Sequence, residues 1–346
     1  MTLDIREMSI AELSALMEEM GLPSFRAGQI RTWLDKGVDF LQMLNLPQNL
    51  REMLATQFSI ERVQVSNVLV SQRDNTRKYL FAMPDGEQVE GVLMHYRHGW
   101  SQCISTQAGC RMGCRFCATG LDGWRRHLTA AEMIGQIEAA QEEAGVRVGS
   151  VVLMGMGEPL DNYEQTVRFL RLLGEEGGVH IGMRHVSVST CGLADGIRRL
   201  ADEGLSVTLS VSLHAPNDTL REQMMPINRR YPLSELMAAC DYWLNQTGRR
   251  ISFEYALAAG INDADAHADA LGKLMRRLCP RGRPMLCHVN LIPMNHVGAS
   301  SLQRSLPERV RSFQQRVATF GVPVTVRRTL GSDIDASCGQ LRTTNL

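Results

Sequence analysis

From residue 103 onward, short apolar, β-branched runs recur between segments with helical signals, and this alternation limits the fold more than any other feature. The runs fall at residues 103–106, 151–154, 186–189, 207–212, 251–255 and 288–292. Thr129-Ala-Ala-Glu132 forms a capping box ahead of Met133, Ile134 and Ile137, because hydroxyl and carboxylate satisfy each other's orphan amides. Segments 163–173, 193–200, 233–244 and 264–278 carry the same helical spacing, several closed by glycine. Six strands alternating with helices predict parallel βα units in an α/β fold. Such units build either an open twisted sheet or a partial barrel, and periodicity does not separate the two.

The first part of the chain has another rhythm. Ser9-Ile-Ala-Glu12 is a capping box followed by Ile10, Leu13, Leu16 and Met17 at helical spacing, with Gly21 as the stop. A second helix carries Ile30, Trp33 and Leu34 before Gly37, and a third is predicted over 47–58. Between Val63 and Met94 the pattern becomes strands, with VSNVLV and KYLFAM bounded by polar turns such as Pro84-Asp85-Gly86. The expected organisation is a helical accessory domain over 1–62, a β extension over 63–95, and the βα series over 96–346.

No stretch approaches the 18 apolar residues of a membrane span, and the start of the chain lacks the apolar core of a signal peptide. A cytoplasmic protein without a membrane partner is expected. Thirty-seven basic and 37 acidic residues cancel, so net charge announces no polyanionic partner. Of the bases only Lys36, Lys78 and Lys273 are lysines, a bias that a genome-wide preference for arginine explains equally well.

The cysteines are more informative. There are nine, an odd number, with four between residues 103 and 117, which does not fit a secreted disulfide framework. Cys110-Arg-Met-Gly-Cys114-Arg-Phe-Cys117 puts three thiols on one short loop after the first predicted strand. Thiolates are soft ligands for iron–sulfur clusters, zinc or copper(I). Structural zinc takes four closed ligands, and no second CxxC pair is present. Three ligands on a four-iron cluster would leave one iron open to a substrate. A zinc site completed by His127 or Cys103 is the competing reading.

Polar residues also collect where the predicted strands end. Met154-Gly-Met-Gly-Glu158-Pro-Leu follows the second strand, its glycines allowing close approach to the backbone and Glu158 offering an acceptor. Ser189 ends the third strand, Ser212 and His214 lie at the end of the fourth, and Asn295 follows the sixth. Singly these are ordinary turn residues. Together they occupy the carboxyl ends of strands, where βα barrels place their chemistry.

The three-cysteine spacing, with Phe116 between the last two cysteines, resembles the radical S-adenosylmethionine (SAM) superfamily. Cys103-Ile-Ser-Thr-Gln-Ala-Gly-Cys110, GMGEPLDN, Ser212-Leu-His-Ala-Pro-Asn217, MPIN (225–228), HVNLIP (288–293) and Asp333-Ile-Asp-Ala-Ser-Cys338-Gly-Gln-Leu narrow this to the RlmN/Cfr family of RNA adenine methyltransferases. The similarity runs from FRAGQI at 25–30 almost to the end.

The resemblance implies a partial (βα)6 barrel in which Cys110, Cys114 and Cys117 bind a 4Fe-4S cluster. SAM, two molecules per turnover, would be held by Gly157, Glu158, Ser189, Ser212, Leu213, His214 and Asn295. Cys338 is the implied carrier of an S-methyl group. A 5′-deoxyadenosyl radical would activate that methyl for addition to the adenine ring, and Glu90 would accept the ring proton. Cys103 is the implied resolving thiol, which frees the product and leaves a Cys103–Cys338 disulfide. Exchange of this kind needs two sulfurs within reach, so these two cysteines, 235 positions apart, are expected to meet. Cys191, Cys240, Cys279 and Cys287 are taken as structural.

The implied substrates are an adenosine of 23S rRNA and the adenosine 3′ of the anticodon in tRNAs, methylated at carbon 2. The implied partners are an electron donor such as flavodoxin and a thiol reductant. Pro159, Asn162 and the run Ala215-Pro216-Asn217 favour carbon 2, whereas Cys117-Ala-Thr-Gly120 is shared with the carbon-8 branch that gives antibiotic resistance. A non-catalytic, zinc-containing RNA-binding protein is the alternative of another class. Arg125-Arg126, Arg229-Arg230, Arg249-Arg250, Arg327-Arg328 and Trp124 could touch RNA, but arginine pairs are usually solvated faces and none is assigned. RNA docking is expected of the helical unit.

Overall fold

The structure is a computed structural model that describes residues 3–175, 178–295 and 302–342. It opens with β1 (Leu3–Asp4) and helices α1 (Ile10–Glu19), α2 (Arg26–Asp35) and α3 (Gln48–Gln57), followed by β2 (Phe58–Ser59). The Ser9–Glu12 capping box starts α1, and β2 returns to pair in parallel with β1. Leu13, Met17, Ile30, Leu34, Met43, Leu50 and Leu54 close a core that belongs to this unit alone. Ion pairs Arg6–Glu138 and Arg168–Glu12 fasten it to the rest of the chain.

Strands β3 (Gln64–Val70), β4 (Arg77–Ala82), β5 (Gln88–Tyr96) and β6 (Gly99–Cys103) form an antiparallel meander. A short hairpin of β7 (Gln107–Gly109) and β8 (Trp124–His127) brackets the cysteine loop. Then come α4 (Ala130–Ala144), β9 (Val148–Leu153), α5 (Tyr163–Gly174), β10 (Val186–Thr190), α6 (Ala194–Asp202) and β11 (Thr208–Ser212). They are followed by α7 (Asp218–Met224), α8 (Leu233–Thr247), β12 (Ile251–Leu257), α9 (Asp265–Leu278), β13 (Cys287–Pro293), α10 (Pro307–Ala318) and β14 (Val324–Val326).

All but β1, β2, β7 and β8 join one ten-stranded sheet in the order β14-β13-β12-β11-β10-β9-β6-β5-β4-β3. From β6 to β14 every neighbouring pair is parallel. The end strands β14 and β3 do not pair, so the sheet is open. The α/β fold with six core βα strands is therefore present, and β14 adds a seventh parallel strand that sequence periodicity did not reveal. It is three residues long, too short to carry a pattern.

The first parallel strand also lies earlier than its apolar run. It spans Gly99–Cys103 rather than 103–106, because beyond Cys103 the chain bends toward the Gly-rich turn, Thr106 N donating to Met156 O at 2.8 Å.

Register explains how the sheet serves a site. Ser189 pairs with Ser210, Ser212 with Glu254, Glu254 with Asn290 and Asn290 with Thr325. These residues share one face, since side chains alternate along a strand. The opposite positions (Val188, Leu209, Val211, Phe253, Tyr255, Val289 and Leu291) are buried against helices. One face is apolar and packed, and the other is polar and lines the concave interior.

Candidate active site

The interior opens at the carboxyl ends of the strands into a cavity of about 160 Å³. Cys110, Cys114, Cys117, Gly157, Glu158, Ser189, Ser212, His214, Asn295 and Cys338 all line it. Chain segments spread over more than 200 residues thus contribute to one space.

The cysteine loop is shaped from both sides. Gly109 turns with φ +75°, and a β-carbon there would stand 1.9 Å from Gly123 O, so only glycine lets β7 and β8 close. Cys110 N donates to the same carbonyl. Burial pushes the Cys110 thiol up to about 12, with the charge on Cys117 adding to the rise. Burial likewise raises Cys114, an effect that the Arg221 cation opposes. Three soft donors on one loop facing a shared cavity fit an iron–sulfur cluster with a site left open. Among the described residues no three His, Cys, Asp or Glu side chains are grouped as ligands of a single metal ion.

Next to this loop the Gly-rich turn is tightly built. Gly157 has φ +101°, and a β-carbon would lie 2.6 Å from Gln107 Cβ. Glu158 is 3 % exposed. Its Oε2 accepts from Cys191 N at 2.7 Å and its Oε1 from Leu160 N at 3.0 Å, while Gln107 Oε1 accepts from Glu158 N. Each carboxylate oxygen keeps a further lone pair. His214 has φ +55° and stands edge-on to Phe116, ring centroids 4.5 Å apart. Its Nδ1 accepts from Ala256 N at 2.9 Å, which leaves the proton on Nε2. Burial lowers its pKa to about 3, so the ring is neutral.

Leu213 departs from expectation. Its side chain is fully buried in the core and does not line the cavity, because strand alternation turns it away from Ser212. Its N–H donates to Glu254 O of the neighbouring strand.

The carboxyl-terminal loop lies over the cavity mouth. Gly339 O accepts from Ala118 N at 2.8 Å, Leu341 O accepts from Thr119 Oγ1 at 2.8 Å, and Asn295 Nδ2 donates to Cys338 O at 3.0 Å. The β3–β4 turn holds the loop from the other side. Ser71 Oγ and Gln72 N both donate to the Asp333 carboxylate, and Gly331 N donates to Asp74.

Cys103 and Cys338, far apart in sequence, are brought within electrostatic reach of one another. Burial, then the charge on Cys338, pushes the Cys103 thiol up to about 12, and the Arg327 cation opposes this. Arg327 lines the cavity beside Cys338, and the negative charge on that sulfur raises the Arg327 pKa more than any other influence. Both cysteines are free thiols.

Glu90 does not line the cavity. It is wholly buried in β5, its Oε1 2.9 Å from Lys78 Nζ and its Oε2 accepting from Arg342 N at 2.6 Å. Burial raises its pKa, and Lys78 opposes the rise.

Sequence reasoning missed Lys78 and Arg221. Arg221 is fully buried, donating to Asn228 Oδ1 at 2.9 Å and Cys191 O at 2.6 Å. It ties the MPIN segment to the end of β10. Its partners are remote in sequence, so no local pattern marks it, whereas the rarity of lysine was a usable signal for Lys78. The arginine pairs divide. Arg125, Arg126 and Arg229 are engaged with carboxylates, Arg249 donates to Val207 O ahead of β11, and Arg327 belongs to the cavity.

Comparison with known proteins agrees with this geometry. Residues 104–271 match the radical SAM superfamily, and residues 3–60 match the ribosomal RNA large subunit methyltransferase N-terminal domain. The "probable dual-specificity RNA methyltransferase RlmN" of Pelotomaculum thermopropionicum is 49 % identical over 98 % of this chain and 91 % of that protein. Its counterpart in Alkaliphilus oremlandii is 46 % identical over 99 % of this chain and 98 % of that protein. The crystal structure of a radical SAM methyltransferase from Sphaerobacter thermophilus superposes with a TM-score of 0.90 at 45 % identity, covering 99 % of both chains. The chain belongs to the RlmN family of radical SAM RNA methyltransferases.

Proposed function

We propose that the enzyme methylates carbon 2 of an adenosine in 23S rRNA and of the adenosine 3′ of the anticodon in tRNAs, using an S-methylcysteine at Cys338. The observation that carries this reading is the docking of the Cys338 loop onto the Cys110–Cys117 loop, so that the proposed methyl carrier and cluster ligands line one cavity. Carbon 2 of adenine is electrophilic and does not attack the electrophilic methyl of SAM, so the methyl must travel by another route. When bound, the 4Fe-4S cluster and SAM supply a methyl group and a one-electron route to a hydrogen-abstracting radical.

The residues of the chain do the rest. Cys110, Cys114 and Cys117 hold the cluster. Gly157, Glu158, Ser189, Ser212, His214 and Asn295 hold SAM, with Leu213 contributing through its backbone. With SAM bound, one molecule would supply the methyl group that Cys338 carries and a second would supply its activation. Glu90 accepts the ring proton once the Arg342 backbone that covers its Oε2 gives way to the substrate; burial raises its pKa and Lys78 opposes the rise. Cys103 attacks Cys338 sulfur to release the product, with Arg327 favouring the thiolate needed for exchange. A flavodoxin-type donor supplies electrons, and a thiol reductant reopens the disulfide. The unit over 1–62 docks RNA, the target base leaves its stack to enter the cavity, and the protein works in the cytoplasm.

The test is anaerobic reaction of the reconstituted enzyme with SAM, a reductant and either ribosomal RNA or tRNA, with mass spectrometry of the nucleosides as the readout. Carbon-2 methyladenosine that disappears in Cys338→Ala is expected. Carbon-8 methyladenosine, or product surviving in Cys338→Ala, would overturn the reading.

A further inference from the structure

Two cysteines with no part in the proposed chemistry lie in contact at the end of the parallel sheet opposite the cavity. Cys279 caps the end of α9, its N–H donating to Met275 O, and Cys287 opens β13. Their sulfurs are 3.1 Å apart, and the residues are 3 % and 0 % exposed. A disulfide needs about 2.0 Å between the sulfurs, so closing the bond asks for roughly 1 Å of movement. The two residues flank a single short loop, Pro280 to Leu286. Cys287 sits on the helix-facing side of β13, and burial, then its contact with Cys279, raises its pKa.

We propose that Cys279 and Cys287 form a second, non-catalytic disulfide, a covalent modification site that joins the end of α9 to the start of β13. The oxidant is a small peroxide able to enter a buried site. Peroxide converts one thiol to a sulfenic acid and leaves as water. The partner sulfur then displaces the sulfenic oxygen, which takes up a proton and departs as a second water. Two thiols lose two hydrogens and two electrons, and one hydrogen peroxide becomes two waters.

This bridge cannot exchange with the catalytic cysteines. Cys287 begins a seven-residue strand, and at about 3.3 Å per residue it stands roughly 20 Å from the strand ends where Cys338 lies. Burial also separates the pair from bulky reagents, because neither side chain is open to solvent. Large alkylating agents should therefore spare the pair in the folded protein while peroxide closes it. The bond would brace the platform from which β13 carries Asn295 to the Cys338 loop.

The test uses the full chain, reduced and then treated with one equivalent of hydrogen peroxide. Remaining thiols are blocked with N-ethylmaleimide in denaturant, and peptides are mapped by mass spectrometry without reduction. The expected result is a linked peptide pair containing Cys279 and Cys287, two mass units below the sum of the free peptides. It persists in Cys240→Ser and in Cys338→Ala and is lost in Cys279→Ser. Full maleimide labelling of both cysteines after peroxide, or a Cys240–Cys287 bridge in their place, would overturn the proposal.

Discussion

Lys78 Nζ lies 2.9 Å from Glu90 Oε1, and the two side chains, 1 % and 0 % exposed, are sealed from water together. They are diagonal neighbours, since Leu80 pairs with Glu90 and Lys78 with Val92. Removing one member of a buried ion pair strands the other charge and costs about 3–5 kcal/mol. Lys78→Met is expected to lower the denaturation midpoint sharply and to drive the Glu90 pKa further up. Lys78→Met/Glu90→Gln should recover much of the stability but no methylation, which separates the structural and chemical parts of the pair. Urea unfolding of the three proteins beside an RNA methylation assay checks this.

Gly339 is fixed against the cysteine loop. Its φ is +83°, and a β-carbon there would stand 2.8 Å from Phe116 O. Gly339→Ala is expected to lift the Cys338 loop, with a local cost of about 1–3 kcal/mol. Methylation of Cys338, read by peptide mass, should fall at least tenfold while iron content per chain stays unchanged. A variant that loses iron in proportion to activity would contradict this.

The neutral His214 ring predicts an acid limit. Its pKa falls from 6.5 to about 3 on folding because the site is buried. A depressed pKa contributes stability that is complete above the unfolded value and is lost as pH falls through the folded one. Between pH 6.5 and 3 the unfolded chain takes up a proton that the folded ring refuses, so stability drains over that window. His214→Asn should show a flatter loss than the parent protein when unfolding midpoints are compared at about pH 7, 5.5 and 4.

Cys103 and Arg327 should separate release from chemistry. With the Cys103 thiol pushed up to about 12 and Arg327 opposing the rise, Cys103→Ala is expected to leave RNA covalently attached to Cys338, seen as a slow band on a denaturing gel. Arg327→Gln should retain Cys103 but release product about tenfold more slowly, the effect of one pKa unit on the thiolate population. Product formation at the parent rate in Arg327→Gln would exclude the electrostatic role.

Local patterning was enough to reveal most regular elements and the contiguous motifs whose residues line the cavity. The capping boxes at Ser9 and Thr129 start α1 and α4, because both partners of a box lie within one helical turn. The Cys110–Cys117 loop and the serines at strand ends were legible for the same reason, each being a local departure from a local pattern. Folding settled whatever depends on register and long-range closure. It turned Leu213 away from the cavity, added β14 to the sheet edge, paired Lys78 with Glu90, and set Arg221 between Cys191 and Asn228. It also brought Cys338 within electrostatic reach of Cys103, through a loop held at once by the β3–β4 turn and the cysteine loop. Those contacts join residues from several to hundreds of positions apart, and their energies arise only once burial has removed water from both partners.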